Sequence, residues 1–547
     1  MPAPFSDYAV IVNPKDVGAL KADNIAVAKA DIPSGEELQI NGQATPISRP
    51  IPRGCSFAVR EICKDESIIA LGVHVGFASR RIAAGGYIDP SGLGNMRHEL
   101  TGEEPQLCSL ATETPHFGEL ANRTFKGFRR KVTVEGKEGA GTQNIVAILN
   151  TVKCSQTTTQ NIAHMAKQKL LPRYSNVTDV VAITHEYGCG MPVGKAKAEL
   201  ARLLVAIMNC PNVGALYVLG LGCEHLCPIP GVEGSVFNTF AEKVIDFEER
   251  VQTDHLQHYR SELAAVNEIV DGPLRKTFEA ANQYEREPLP IRHLTLGLKC
   301  GGSDRFSGVT ANPALGVAVD RLIHGGGAAI ITETPEFEGY MHVLAERSRD
   351  EETARWLLGM IPRFDEVSKT YPIPESGRQQ VTPGNFKGGL LNIFMKAAGA
   401  AAKAGSTVIE GGLEYGDSIY EHDRRGLWVL DCPSYDQIST PALALSGCQM
   451  VVFTTGRGTP IGSALGQVVK VASTSNIGLD QHVDFFADGI LNGESLESVG
   501  EAMFEKILAI ASGNEPTAIE TWNQQLLEAG LPHQHYEFMP WKRWADN

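Results

Sequence analysis

No stretch of the 547 residues approaches the ~18 consecutive apolar residues that a membrane span requires. Positive charge is in deficit, 49 Lys and Arg against 64 Asp and Glu for a net −15, which argues against a phosphate-tracking nucleic-acid binder. The start, Met1-Pro-Ala-Pro-Phe-Ser-Asp-Tyr8, has neither the basic segment nor the apolar core of a secretory signal. The 11 cysteines are odd in number, run from Cys55 to Cys448 and form no CxxC pair. That is the pattern of a reduced intracellular protein, not of a disulfide scaffold. The GxxxxGK[ST], GxGxxG and GxSxG patterns are missing too, so neither ATP, a dinucleotide nor a serine-hydrolase elbow is implied. What these absences leave is a cytoplasmic, multidomain protein, long enough for about three domains of roughly 150 residues each.

Glycine, by contrast, is abundant: 56 residues, gathered in short runs beside apolar segments. Such runs predict tight ligand-holding turns. Residues 1–95 read as a small all-β domain, with Ile25-Ala-Val-Ala, Phe57-Ala-Val, Ser67-Ile-Ile-Ala-Leu and Val75-Gly-Phe-Ala as strands between turns. Residues 96–125 are polar and aperiodic, a linker. From there the pattern becomes α/β, with parallel-sheet lobes at 126–290 and 291–547. Ile145-Val-Ala-Ile-Leu, Val180-Val-Ala-Ile and Ala215-Leu-Tyr-Val-Leu are buried strands of the first lobe. Leu200, Leu203, Leu204 and Ile207 place a helix over 194–209. Residues 235–290 read as charged and helical. The second lobe repeats the alternation at His293-Leu-Thr-Leu, Ala328-Ala-Ile-Ile, Leu427-Trp-Val-Leu and Met450-Val-Val-Phe, with helices from about Pro313 and over 496–511.

The polar and Gly-rich segments follow these strands at their carboxyl ends, the edge where open parallel sheets bind ligands. Cys154, His185, Cys189, Cys223, Glu224, Cys300, Ser303, Asp304, Glu333 and Arg457 therefore fall along one crevice or two facing ones. Gly301-Gly302 and Thr454-Thr-Gly-Arg-Gly-Thr-Pro460 are expected to expose backbone N–H groups that hold anionic oxygens. Lys299, Arg305 and Arg457 add the positive charge that an anionic ligand needs on an acidic protein. Cys154, His185, Glu186, Cys189, Cys223, Glu224 and Cys300 are candidate ligands for a divalent ion or an iron–sulfur cluster, which spacing does not distinguish. Taken singly, each cysteine also fits a small buried hydrophobe, and each glutamate a helix cap or salt bridge.

Longer motifs carry a resemblance. Thr184-His185-x-x-Gly188-Cys-Gly-Met, Leu219-Gly-Leu-Gly-Cys-Glu224 and Leu298-Lys-Cys-Gly-Gly-Ser-Asp-x-x-Ser-Gly-x-Thr-Ala-Asn-Pro313 resemble the altronate/galactarate dehydratase family. So do Pro383-Gly-Asn-x-x-Gly-Gly389, Phe453-Thr-Thr-Gly-Arg-Gly-Thr-Pro460 and Phe538-Met-Pro-Trp-Lys-Arg543, and the β domain resembles that family's SAF domain. The resemblance implies a hydro-lyase that removes water from a small anionic sugar acid to give a 2-keto-3-deoxy acid, using iron(II) or manganese(II). It implies catalytic or metal roles for His185, Glu224 and Glu333, and a metal set drawn from Cys154, His185, Cys189, Cys223 and Cys300. Substrate hydroxyls and carboxylates would meet Lys299, Ser303, Asp304, Thr310, Asn312, Thr454, Thr455 and Arg457. An α/β enzyme of this size is expected to form a homo-oligomer. The chain departs from the family where Gly-His-Lys is replaced by Gly54-Cys55-Ser56, and where Val-His-x-His-Asn is replaced by Tyr87-Ile-Asp-Pro-Ser91. Cys55, Asp89 and His74 are the nearby residues that could stand in. A different β-leaving group, or a degenerate binding protein, are the alternatives these departures leave.

Overall fold

A computed structural model describes residues 2–12, 21–94, 118–185, 187–189, 195–226, 241–369 and 381–521. Glu186, most of the linker and the motif at 538–543 lie outside them.

The N-terminal module is all-β, as its turn spacing requires. Ala9–Val10, Ile25–Ala28, Ser56–Ala58 and Tyr87–Ile88 form one sheet in that order, while Ser67–Ala70 and Val73–Ala78 make a hairpin. A further hairpin, Glu37–Ile40 with Gln43–Pro46, escapes a reading by apolar runs because its first strand alternates exposed and buried residues. Thr124–Lys131, which begins inside the expected linker, is the centre of a small antiparallel sheet flanked by Glu138–Gly141 and Arg286–Pro290.

The first α/β lobe has four parallel strands in the order Asp179–Ile183, Ile145–Asn150, Val213–Gly220, Val251–His255. The two inner strands are buried along their whole length and so read as unbroken apolar runs. Val251–His255 corrects the helical reading of 235–290: it is a polar edge strand in which only Val251 is buried. The longer described helices of that stretch are Glu262–Asp271, capped by Ser261, and Leu274–Asn282. The periodic helix appears as Lys195–Met208.

The second lobe is a seven-stranded parallel sheet. Its order is Ile409–Leu413, Gly426–Leu430, Ala328–Ile331, Thr295–Cys300, Met450–Thr455, Gln467–Ala472, Phe485–Phe486. Helix Ala311–His324 packs on helix Leu496–Ala511 over this sheet. One apolar core runs between the lobes, joining Leu149, Val181, Leu204 and Leu216 to Trp428, Leu443 and Phe453. No described helix is long and apolar enough to cross a membrane.

Candidate active site

Thr295–Cys300 and Ala328–Ile331 are paired neighbours, with Leu298 opposite Ile331, so the residues that end or follow them emerge side by side. Glu333 is fully buried there. The Lys299 ammonium reaches its Oε1 at 2.6 Å, and the Cys300 N–H donates to Oε2 at 3.0 Å. Lys403, arriving after helix Ile393–Ala401, places Nζ 3.3 Å from Oε2 and 3.0 Å from the Cys300 sulfur. Asp436 closes the far side at 2.8 Å from Lys299 Nζ. Burial opposes the charged form of each group, and the opposite charges outweigh it. Glu333 and Asp436 hold Lys299 above the ordinary lysine value, Cys300 and Glu333 hold Lys403 above it, and the two ammoniums hold Glu333 below the carboxylate range. Burial and Glu333 push the Cys300 thiol up to about 11, which keeps it protonated. Glu333 also sits in left-handed backbone (φ 85°, ψ 62°), a strained state for a side-chain-bearing residue. Lys403 and Asp436 belong to no motif; they come from distant segments, and only the fold brings them here.

Beside this cluster Ser303, Asp304, Arg305, Asn312, Leu390 and Lys396 line a narrow cleft of about 10 Å³, the room of about one water. Three of the substrate-contact residues expected from the sequence thus share one cavity. Thr454 supports it from below, its hydroxyl donating to Asn312 Oδ1 at 2.6 Å. Asp304 Oδ1 accepts from the Ser307 N–H at 2.8 Å and its hydroxyl at 2.7 Å, and Oδ2 accepts from Ser473 Oγ at 3.1 Å. Desolvation nevertheless pushes this carboxyl up to about 6. The glycine loops, expected to expose N–H groups to anionic oxygens, prove to be packing devices. A Cβ on Gly456 would lie 2.2 Å from the Asp304 carboxyl carbon, and one on Gly388 2.8 Å from its Cβ. The Gly301 and Gly456 N–H groups are already taken, by Thr454 O at 3.1 Å and Gly302 O at 3.2 Å. Thr455 turns its hydroxyl inward to accept from the Arg457 and Gly458 N–H groups, at 3.3 and 3.0 Å, while Arg457 donates to Gly384 O at 3.1 Å. Thr310 donates to Phe306 O and Ser473 O, so it braces the cleft's loops.

A second group of expected residues lies at the carboxyl edge of the four-stranded sheet. Glu224 accepts at Oε1 from the Thr151 hydroxyl (2.7 Å) and the Leu221 N–H (3.1 Å), and at Oε2 from the N–H groups of Gly222 (2.8 Å) and Cys223 (3.0 Å). Both oxygens are thus engaged in shaping the loop that carries Cys223. His185 is fully buried; its N–H donates to Asn150 Oδ1 at 2.9 Å, and its Nδ1 accepts from the Tyr187 N–H at 3.2 Å. Desolvation takes its imidazole down to about 4, against the backbone groups of Thr151 and Asn150 and the Glu224 charge, so it is neutral at pH 7. Cys154, Cys189 and Cys223 are exposed. Cys300, expected among the same ligands, belongs to the other lobe. Among the described residues no three His, Cys, Asp or Glu side chains close tightly enough to share a single ion. The soft sulfur donors present at this edge suit iron better than manganese.

The two altered motifs of the β domain meet. Ser56 pairs with Ile88 and Phe57 with Tyr87, and the Tyr87 hydroxyl lies 3.6 Å from the Cys55 sulfur. Burial, eased by that contact, raises the Cys55 thiol. Asp89 is held in ion pairs with Arg49 and Arg80, and His74 contacts Lys21 at 2.9 Å on the hairpin of the other sheet. The Gly54-Cys55-Ser56 turn sits directly on the second lobe. A Cβ on Gly389, whose φ is +89°, would come 2.1 Å from Gly54 O, and the Arg305 Nε–H donates to Ser56 Oγ at 3.4 Å. Val381, Leu390, Leu391, Ile393, Phe394 and Met395 of the lobe complete the module's apolar core.

Three family models match consecutive parts of the chain. They are the altronate/galactarate dehydratase SAF domain at 14–94, the second domain of D-galactarate dehydratase/altronate hydrolase at 127–271, and the C-terminal D-galactarate/altronate dehydratase domain at 291–544. Altronate dehydratase of Bacillus subtilis is 32% identical across 90% of this chain and 94% of its own length. Galactarate dehydratase (L-threo-forming) of Escherichia coli is 32% identical across 98% and 97%. The (2R)-sulfolactate sulfo-lyase subunit beta of Chromohalobacter salexigens is 28% identical across 73% of this chain and 95% of its own length.

Proposed function

The chain belongs to the altronate/galactarate dehydratase family of hydro-lyases, and from that premise we propose that it dehydrates an aldonate or aldarate to a 2-keto-3-deoxy acid. The observation that supports this reading best is the cleft of Asp304, Arg305, Asn312 and Lys396 beside the buried Lys299–Glu333–Lys403 cluster. A polyhydroxylated acid needs cations for its carboxylate and paired donors and acceptors for its hydroxyls; the residues gathered at the cleft supply both, and its volume of about 10 Å³, the room of about one water, must widen for the acid to enter. Loss of the proton next to a carboxylate builds negative charge on both oxygens. Fixed ammoniums in a water-poor site stabilise that charge without reorganising. Lys299 and Lys403, held firmly charged, provide such a field. Asp304, poised near 6, is the group suited to move a proton at neutral pH. Asn312 and Ser303 orient hydroxyls.

Metal dependence is part of the proposal. The exposed Cys154, Cys189 and Cys223 would offer sulfur donors for iron, on loops that His185 and Glu224 fix, although among the described residues no three donors close on one point. When bound, the metal supplies a Lewis acid for the substrate's oxygens.

The test is turnover of an aldonate and aldarate panel under anaerobic conditions, with iron(II), manganese(II), magnesium or chelator present. Metal-dependent keto-acid formation is the expected result. 3-Sulfolactate belongs in the panel because of the sulfo-lyase relative. Sulfite release from it, without dehydration of any sugar acid, would replace the proposal. No product from any panel member, with folded and metal-loaded protein, would overturn it.

A further inference from the structure

We propose that Arg305 is the residue that grips the substrate's carboxylate, and that Ser56 of the β module aims its guanidinium. The inference deepens the proposed function and rests on it for the ligand being a hydroxy acid. Position 305 is a variable place within the motif at 298–313, so the motif itself assigns it no role.

Burial is the first observation. Arg305 is only 1% exposed, and a guanidinium taken that far from water is normally paired or surrounded by acceptors. The other buried arginines among the described residues obey that rule. Arg250 donates to the carbonyls of Met208, Val213, Gly214 and Ile245. Arg130 donates to Pro211 O, Arg129 O and Asn144 Oδ1. Arg305 does not. Its Nε–H donates to Ser56 Oγ at 3.4 Å, and its Nη1 has no partner among the described residues. The acids whose charge it feels are turned elsewhere. Asp304 accepts from Ser307 and Ser473, and Asp23 of the β module from the Leu71 and Gly72 N–H groups.

Place is the second observation. Arg305 lines the cleft with Asp304, Asn312 and Lys396. Its own N–H is tied to Gly388 O at 2.8 Å, and a Cβ on Gly389 would stand 3.2 Å from its Cβ, so the stem is held. The other cations around the cleft already have carboxylates. Lys299 has Glu333 and Asp436, Lys403 has Glu333, and Lys396 has Glu336 at 2.6 Å. Those three ammoniums and three carboxylates cancel, which leaves Arg305 as the cation without a counter-charge. A carboxylate is the group that its fork fits, through two parallel N–H···O bonds. The widening that admits the acid would bring a carboxylate to Nη1 and Nη2 while Ser56 keeps Nε. Burial takes the guanidinium down to about 10, so it remains charged at neutral pH.

The experiment titrates altronate and galactarate calorimetrically into full-length protein, under chelator and again with magnesium. KM and kcat are then measured for whichever acid is turned over. Arg305→Met, which keeps the bulk of the side chain, should weaken binding and raise KM about ten- to a hundredfold, with kcat within about threefold of the parent. Arg305→Lys should recover part of the affinity, because an ammonium keeps the charge and loses the fork. Guanidinium ion added to Arg305→Ala should restore binding, a readout that a purely structural role would not move. Ser56→Ala should raise KM by a smaller factor than Arg305→Met. Arg81→Gln, which breaks an exposed ion pair of the β module, should match the parent. If Arg305→Met fails to fold, the lysine variant and the guanidinium rescue decide. Parental affinity in Arg305→Met, a loss confined to kcat, absence of rescue, or no binding of either acid by the parent would overturn the inference. Binding that depends on Arg305 in protein that forms no keto acid removes the proposed function and leaves this site standing. Keto-acid formation by Arg305→Met at the parental KM does the reverse.

Discussion

Glu333 combines a left-handed backbone, complete burial and two ammonium partners. Removing one partner of such a group leaves a buried charge half compensated, at a cost of about 3–5 kcal/mol. Lys403→Met should therefore lower unfolding stability by that order in urea and abolish turnover; a variant with parental stability would show that the pair carries no weight. Asp304 gives a pH signature. Its folded value, about 6, lies above the ~4 of an unfolded carboxyl. Between those values the folded state holds a proton that the unfolded chain has released. Stability contributed by this group is thus present at low pH and falls as pH rises from about 4 to about 6. Asp304→Asn should flatten that part of the stability curve and slow turnover by about a hundredfold or more. A curve still steep there would assign the titration elsewhere. At this scale the sequence exposed Lys299, Asp304 and Glu333 through motifs at strand ends. It hid Lys396, Lys403 and Asp436, ordinary charged residues on helices and turns whose partners are far away along the chain.

Elements were legible where one physical signal dominated. Ile145–Asn150 and Val213–Gly220 read as apolar runs because they are buried along their whole length, and Lys195–Met208 shows its period openly. Val251–His255 and Glu37–Ile40 were not legible, since an edge position or one-sided burial leaves too few apolar residues to mark a strand. Ile409–Leu413 hid for another reason. Its Gly411 and Gly412 make room for the rings of Trp428 and Trp356, so the bulk expected of a buried strand sits on its neighbours. The junction of the β module and the second lobe is decided by glycine as well. Gly389→Ala would force a Cβ onto Gly54 O in a backbone state costing roughly 1–3 kcal/mol for a non-glycine residue. Such a variant should melt lower than its parent and expose the module to limited proteolysis; an unchanged protease pattern would mean that the contact is dispensable.

Across the whole molecule the two lobes are joined by buried polar groups as well as by the shared core. Asn212 donates to Gln449 O at 2.7 Å and Leu465 O at 2.9 Å, and accepts from the Thr142 and Gln143 N–H groups at 2.9 and 3.1 Å. Asn212→Ala would strand these backbone groups, each worth about 1–3 kcal/mol when buried without a partner. Calorimetry should then resolve two unfolding steps where the parent shows one. A single step at the parental temperature would locate the coupling in the apolar core alone. The two-lobe plan was readable from alternating strands and helices, but this joint was not, because Asn212 and Gln449 look like ordinary loop residues. The seam between Gly54 and Gly389 carries a last consequence. Its closest approach is main chain to main chain, so the neighbouring Cys55 and Tyr87 can change without moving Gly54 O against Gly389. The β domain can therefore keep its seat on the lobe while side chains beside the seam are exchanged.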